Sequence, residues 1–215
     1  MNKIVAIDGP AGSGKGTVAK KLANECNLLY IDTGAMYRAV AYKVLQNNID
    51  LTEEDKIVEL AKNSKIEFIN GKTYLDNKDI SEEIRSMEVT KIVSPVSGIV
   101  KLREILVELQ RKIAVGNDVI MEGRDITTVV FPNANYKFYL DADVNERANR
   151  RYKENQEKGI EASYDEILEN IKKRDYNDMH KEVGSLTRTK DAIYIDSTHL
   201  SIDEVVHKIK SIIGE

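Results

Sequence analysis

At 215 residues, with 41% hydrophobic and 32% charged side chains, the chain has the composition of an ordinary folded protein, long enough for one well-buried core and short for two large domains. A formal charge of −4 excludes a broad electrostatic footprint for nucleic acid, so an anionic ligand has to be gathered by a local cluster of Arg and Lys. The single cysteine, Cys26, excludes an intramolecular disulfide; with no signal-like N-terminus and no apolar run of about 18 residues, a cytoplasmic location and no membrane partner are expected.

Residues 3–8 form a short apolar run whose length and Ile/Val content predict a buried strand. The run ends in Gly9-Pro10-Ala11-Gly12-Ser13-Gly14-Lys15-Gly16-Thr17, and residues 15–24 read as the first helix. Successive N–H groups of such a turn curl around an anion, the helix directs its positive end at the same place, and Lys15 adds a full charge. The spacing Gly9-x4-Gly14-Lys15 is that of a P-loop. Gly16 replaces the usual hydroxyl, which arrives one place later at Thr17, a form that resembles nucleoside monophosphate kinases. Residues 9–17 are therefore the candidate site for nucleotide phosphate, although the motif by itself does not name a reaction.

Residues 28–32 repeat the apolar run that stops at an acid, and Thr33-Gly34 opens a second helix to about Gln46. This alternation predicts a mostly parallel sheet wound with helices. The rhythm then breaks. Thr52 is expected to cap a helix carrying Ile57, Val58, Leu60 and Ala61, and Asn70-Gly71 between residues 66–69 and 72–75 is a strong hairpin signal. A small antiparallel excursion follows from it. Pro95 is expected to begin or precede another helix, with Val100, Leu106, Leu109 and Ile113 facing the core.

Residues 118–121, followed by Glu122-Gly-Arg-Asp125, and residues 136–140, followed by Asp141, resume the core strands. Open α/β sheets bind ligands beyond the carboxyl ends of their strands, which places Asp8, Asp32, Arg124, Asp125 and Asp141 on the expected ligand side, where some of them are expected merely to cap loops or helices. Capping-box patterns at Ser163/Glu166 and Ser201/Glu204 open two late helices, with a last strand over residues 192–196 between them.

The region from Asn145 to Lys190 is densely charged. On helices, Arg147, Arg150 and Arg151 stand at i, i+3 and i+4, and Arg174, Asp178 and Lys181 at i, i+4 and i+7, so each set is expected to share a face. Two cationic faces flanking residues 153–163 suit a lid that brings arginines over phosphates, because phosphoryl transfer needs electrostatic stabilisation and exclusion of water. The alternative is a solvated charged hairpin. Arg124, at a strand's end, can grip a phosphate bidentately and Asp125 can accept from an amine or hydroxyl, unless the pair only stabilises its loop. Arg38, one turn into the second helix, is either a ligand contact or a surface charge.

In order and spacing, Ile7-Asp-Gly-Pro-Ala-Gly-Ser-Gly-Lys-Gly-Thr17, Asp32-Thr-Gly-Ala-Met-Tyr-Arg38, Glu122-Gly-Arg-Asp-Ile-Thr-Thr-Val-Val-Phe-Pro132 and Asp191-Ala-Ile-Tyr-Ile-Asp-Ser-Thr198 resemble bacterial cytidylate kinases. The resemblance covers essentially the whole chain. It implies a three-layer α/β P-loop fold and a single kinase domain, with a core over 1–33, 101–151 and 190–215. To this it adds a small antiparallel monophosphate-binding insertion over 34–100 and a helical lid over 152–189. It also implies ATP as donor in the 9–17 loop, Mg2+ bridging the phosphates without a named protein ligand, and CMP or dCMP as acceptor.

Thr33, Arg38 and Arg124 match positions near the acceptor phosphate in that family, and Ser94, Arg103 and Asp125 match positions that read cytosine. Arg174 and Asp178 match positions near the ribose, with Lys181 standing where the family often has Arg. Arg147 and Arg151 correspond to lid arginines, which makes Lys15, Arg38, Arg124, Arg147 and Arg151 the expected catalytic set. Gly184-Ser-Leu186 departs from the usual Ser-Pro-Leu. A monomer acting on small nucleotides is expected. The competing readings are a sibling kinase for AMP, UMP or a shikimate-like acceptor, and a nucleotide-binding regulator. For a GTPase-like regulator, Asn77-Lys78-Asp79 lacks the spacing of the Asn-Lys-x-Asp guanine signature.

Overall fold

The computed structural model describes residues 2–69, 71–157 and 159–215; Asn70 of the hairpin signal and Lys158 of the expected lid lie outside the described residues. In chain order the first half comprises β1 (Ile4–Asp8), α1 (Lys15–Cys26), β2 (Leu29–Asp32), α2 (Thr33–Gln46), α3 (Glu54–Lys62), β3 (Ile66–Ile69), β4 (Lys72–Leu75), β5 (Lys78–Asp79), α4 (Met87–Val96) and α5 (Val100–Ala114). The second half comprises β6 (Val119–Gly123), β7 (Tyr136–Asp141), α6 (Val144–Glu157), α7 (Tyr164–Met179), β8 (Ile193–Asp196) and α8 (Ile202–Ile213). Five strands form one sheet in the order β2-β6-β1-β7-β8, and β3-β4-β5 form a second. The chain divides into two compact units, Met1–Leu29 with Asp118–Glu215, and Tyr30–Asn117. The expected insertion over 34–100 lies within the second unit, together with α5, and the expected lid lies within the first.

In the first unit β1 pairs in parallel with β6 on one side and β7 on the other, with Asp8 opposite Gly123 and Tyr139. β7 pairs in parallel with β8, Asp141 opposite Asp196. The register therefore brings the carboxyl ends of these strands to one edge. Val5, Ala6, Ile7, Val119, Ile120 and Met121 are fully buried, as expected for central parallel strands covered on both faces. α8 packs against α1 through a face that includes Val205, Val206 and Ile209, and it begins with the capping box read at Ser201 and Glu204. α6 and α7 pack on each other, and Ala148, Ile167 and Ile171 make a small apolar core bordered by Val144, Tyr152, Tyr164 and Leu168. Ser163 and Glu166 cap α7 reciprocally. The charged hairpin is thus folded around its own apolar seam.

In the second unit α2 is the hub, packed on α3, α4 and α5. Asp32 caps it by accepting from Ala35 N–H at 2.9 Å. The hairpin β3–β4 forms where expected, with Ile69 opposite Lys72. Two expectations need correction. Thr52 does not cap α3; Glu53 precedes that helix without a side-chain cap, and Thr52 instead donates to Asp50. Pro95 precedes α5, as expected, from within the last turn of α4, whose start is capped by Ser86, but Val100 of the stripe expected to face the core is exposed at the start of α5. Among the described residues, no helix is long and apolar enough to cross a membrane.

Asp8 stands at the carboxyl end of β1, as expected, and is one of the strand-end acids that hold a turn. Its side chain is fully buried and accepts from Ile126 N–H at 2.9 Å, Thr127 N–H at 2.7 Å and the Thr127 hydroxyl at 2.6 Å. Both oxygens are engaged by the wide helical turn of Ile126–Val130, so Asp8 anchors that turn to β1 and is not open to a ligand. Asp8→Ala removes every one of these acceptors and is expected to lower unfolding stability by at least about 3 kcal/mol, read from urea denaturation. A loss below about 1 kcal/mol would show that the turn does not depend on Asp8.

Candidate active site

The chain leaves β1 and enters α1 through residues 9–17. Ser13 N–H turns back to the Pro10 carbonyl at 3.4 Å, and Gly14 leads into the helix. α1 starts with neither a side-chain cap nor an acid in its first turn, so among the described residues its positive end is left uncompensated by its own sequence. Lys15 is buried, with Nζ donating to the Pro10 carbonyl at 3.0 Å and lying 3.9 Å from Glu122 Oε2. Burial, followed by the Arg124 guanidinium, lowers the Lys15 pKa to about 7, while Glu122 and Asp178 act in the opposite sense. The loop therefore holds a cation that lacks a strong anionic partner. Thr17 is exposed on the first turn of α1.

At the end of β6, Arg124 Nε donates to Asp178 Oδ2 at 2.8 Å, and Arg174 Nε lies 3.9 Å from the same oxygen. Lys181 Nζ is 3.0 Å from Asp178 Oδ1. Burial alone would raise the Asp178 carboxyl, but Arg124, Lys181 and Arg174 bring it down to about 2. The expected helical row of Arg174, Asp178 and Lys181 is only partly helical, because α7 ends at Met179 and Lys181 returns to Asp178 from beyond its end. Asp125, beside Arg124, is also buried. Its carbonyl accepts from Val129 and Val130 N–H at the head of the wide turn.

The three arginines of α6 do not share one environment, which corrects the expected common face. Arg147 is buried and donates from Nε to the Ala142 carbonyl at 2.9 Å, and from Nη1 to the Ala11 carbonyl at 3.0 Å and Asp175 Oδ2 at 2.6 Å. Arg150 reaches Glu146, Ser197 and the Ser197 carbonyl. Arg151 is exposed and pairs with Glu154 at 2.8 Å, a surface pair that contributes little. Lys15, Arg124, Arg174, Asp178 and Lys181 are brought together in the first unit, with Arg147 joined to the phosphate loop; Arg151 is not joined to them.

In the second unit, Arg38 donates from Nη1 to the Thr90 hydroxyl at 3.0 Å and the Ile84 carbonyl at 3.3 Å. Arg103 is buried, donates to the Ser97 carbonyl at 2.9 Å and lies 5.2 Å over the Tyr37 ring. Tyr37, one residue before Arg38, was not singled out by sequence reasoning; an aromatic in a helix next to a candidate ligand is the available signal. Thr33 is the buried first residue of α2, and Ser94 is half-buried in the last turn of α4. Among the described residues no group of three or more His, Cys, Asp or Glu side chains converges as a metal site.

The parallel sheet, the phosphate loop between β1 and α1, and the cations at the strand ends define a P-loop α/β kinase fold. A solved structure of an uncharacterized protein from Eubacterium ventriosum ATCC 27560 shares this fold with a TM-score of 0.56 at 15% identity, covering 100% of this chain and 99% of the other. Shikimate kinase from Bacteroides thetaiotaomicron does so with a TM-score of 0.51 at 12% identity, over 99% of both chains.

Sequence comparison resolves the family. Residues 5–215 match the family model for cytidylate kinase. The cytidylate kinase of Alkaliphilus oremlandii is 56% identical over 205 residues, 95% of this chain and 94% of the relative. That of Clostridioides difficile is 48% identical, over 98% and 97%. The chain belongs to the cytidylate kinase family.

The lowered Lys15 pKa gives a measurable linkage. Between about 7 and the ordinary 10.5 the empty site has lost the Lys15 proton, and a bound polyphosphate restores the charged form. Nucleoside triphosphate binding at pH 8.5 is therefore expected to take up about one proton, with uptake fading below pH 6. Calorimetry in buffers of different ionisation enthalpy reads this directly, and Lys15→Met is expected to abolish it. Equal uptake by that variant would assign the proton to another group.

Proposed function

We propose that the chain transfers the γ-phosphoryl group of ATP to CMP or dCMP, giving CDP or dCDP and ADP, as a single chain acting on small nucleotides. The observation that carries this reading is the set of Lys15, Arg124, Arg174 and Lys181 gathered beside a P-loop in a member of the cytidylate kinase family. Lys15 and the N–H groups of residues 9–17 hold the donor triphosphate. Arg38 and Arg124, with Thr33, align the acceptor phosphate; Arg174, Asp178 and Lys181 serve its ribose side. Ser94, Arg103 and Asp125 complement the N4 amine and ring acceptors of cytosine, a pattern that disfavours a base with the wrong donors. Residues 34–100 act as the monophosphate-binding insertion and 152–189 as the lid, with Arg147 and Arg151 on the helix that leads into it.

The residues present fit Mg2+ carried in on the triphosphate. Both Asp8 oxygens are engaged by backbone and hydroxyl donors, so phosphate oxygens and water would supply most of the metal's ligands, with Thr17 the exposed hydroxyl on the first turn of α1. When bound, the metal neutralises charge on the phosphate oxygens. The chain's own contribution is alignment and stabilisation of the charge that accumulates when two anions meet in line. A monophosphate oxygen is already ionised at neutral pH, and no general base is required.

ADP release measured with CMP, dCMP, UMP, AMP and shikimate is expected to favour the cytidine nucleotides; a clear preference for AMP would sink the assignment. Lys15→Ala is expected to lower acceptor-dependent turnover by about 10²- to 10³-fold with the fold retained. Asp125→Ala is expected to weaken cytidine binding more than ATP binding, and an equal loss of both would make Asp125 part of the scaffold.

A further inference from the structure

Arg147 has a second feature beyond its place on α6. Its guanidinium is held from three directions, by the Ala142 carbonyl at its own helix's entry, by the Ala11 carbonyl in the phosphate loop, and by Asp175 of α7. Contact with the loop is steric as well as polar. Gly12 has φ of 78°, and a Cβ there would lie 3.2 Å from Arg147 Cβ, so the loop backbone rests on the stem of this arginine. Among the described residues Nη2 takes no protein partner. Asp175 is itself buried, and its Oδ1 has no hydrogen-bond partner, an arrangement that costs stability and calls for a compensating role. The Asp175 charge also acts on Arg124, favouring its charged form. One carboxylate thus backs two cations of the site from behind.

We propose that Asp175 is a positioning residue for phosphoryl transfer, fixing the Arg147 guanidinium against the phosphate loop so that Nη2 is presented to the transferring phosphate. This rests on the kinase reading given above. An arginine ordinarily loses considerable rotamer entropy when it grips an anion. Arg147 has lost it at folding, because Nε and Nη1 are already engaged and the plane of the fork is set. The benefit falls on the transition state, since preorganised donors need no rearrangement as charge develops. Asp175 acts through Arg147 and touches no substrate atom.

The test is a cycle of Asp175→Asn, Arg147→Gln and the double variant, with kcat and KM measured for CMP and ATP. Asp175→Asn keeps the shape but removes the charge that holds Arg147. It is expected to lower kcat by about 10- to 100-fold with KM for CMP within about twofold, the pattern of an interaction made in the transition state. In the Arg147→Gln background the same change is expected to have no further effect on kcat. Asp175→Glu retains the charge and is expected to recover part of the loss; it carries the test if Asp175→Asn does not fold. Losses that multiply in the double variant, or Asp175→Asn and Asp175→Glu both with kcat within about twofold of the parent, would overturn the proposal. Parent turnover separates the two readings. Absence of any CMP-dependent turnover in the parent overturns the kinase reading and this inference with it, whereas normal parent turnover with multiplicative losses overturns the inference alone.

Discussion

Cations collected to receive phosphate have to fold before any phosphate arrives, and this constraint organises the first unit. A buried guanidinium or ammonium without a counter-charge carries a penalty of several kcal/mol, comparable with the whole stability of a domain. Each principal cation is accordingly supplied with an oxygen from the chain. Lys15 takes the Pro10 carbonyl with Glu122 more distant, Arg124 takes Asp178, and Arg147 takes Asp175. With Asp178 held at about 2, the carboxylate stays ionised at any ordinary working pH. A ligand oxygen can displace it only by exchange of partners and not by its protonation. The sign of the linkage is that of a depressed carboxyl: its contribution to stability is present above the ordinary value of 3.8 and lost as pH falls through about 2. The same local pairing explains how a chain of net charge −4 can hold a strongly cationic site.

Much of the architecture was legible because local signals and burial agree. β1 and β6 are short, almost wholly buried runs rich in Ile and Val, and β7 is an aromatic-rich run buried over residues 138–140; each is short enough and apolar enough to read as a core strand. The capping boxes at Ser163 and Ser201 are satisfied in both directions, and a reciprocal pair of hydrogen bonds is a specific enough event to be read from spacing. α4 is hard to read from the sequence because Pro95 also announces the helix that follows it, α5. Proline disrupts the partner of its own missing N–H mainly in a helix interior, yet here it occupies the final turn, with Ser86 supplying the N-terminal signal nine residues earlier. Thr52 illustrates the limit of cap reading, since its hydroxyl had a competing acceptor in Asp50 two residues away.

The site divides along the same line. Lys15 is marked by a motif, Arg124 by its position at a strand end and Arg174 and Asp178 by helical spacing, whereas Asp175 carries none of these marks. The sequence nevertheless carried a signal for it. Ile167 and Ile171 define the buried stripe of α7, and Asp175 and Asp178 continue that stripe at i+8 and i+11. An acid in a core-facing position has to be paired, which makes the stripe a search for partner cations rather than evidence of a solvated face. Spacing on α6 misled in the opposite direction. Arg147 and Arg151 are four residues apart, but the long arginine stem lets one fold inward to Asp175 while the other reaches Glu154 at the surface.

The two departures from the family pattern have physical accounts that meet at Asp178. Lys181 presents a point charge, and its Nζ reaches Oδ1 while Arg124 takes Oδ2 with Arg174 more distant, so this carboxylate is shared between two guanidinium groups and one ammonium. A single contact of that kind needs reach more than planarity, which the flexible lysine stem provides from beyond the end of α7. Gly184 has φ of 69°, a left-handed conformation that disfavours other residues by about 1 kcal/mol or more. It turns the chain so that Leu186 N–H donates to the Asp178 carbonyl at 2.8 Å and its side chain packs with Tyr139 and Ala192. Glycine at 184 therefore lets the segment after α7 close back on the helix's last turn. The side chain of Asp178 is fixed by cations and its backbone by this return, so the carboxylate awaiting exchange is held at both ends.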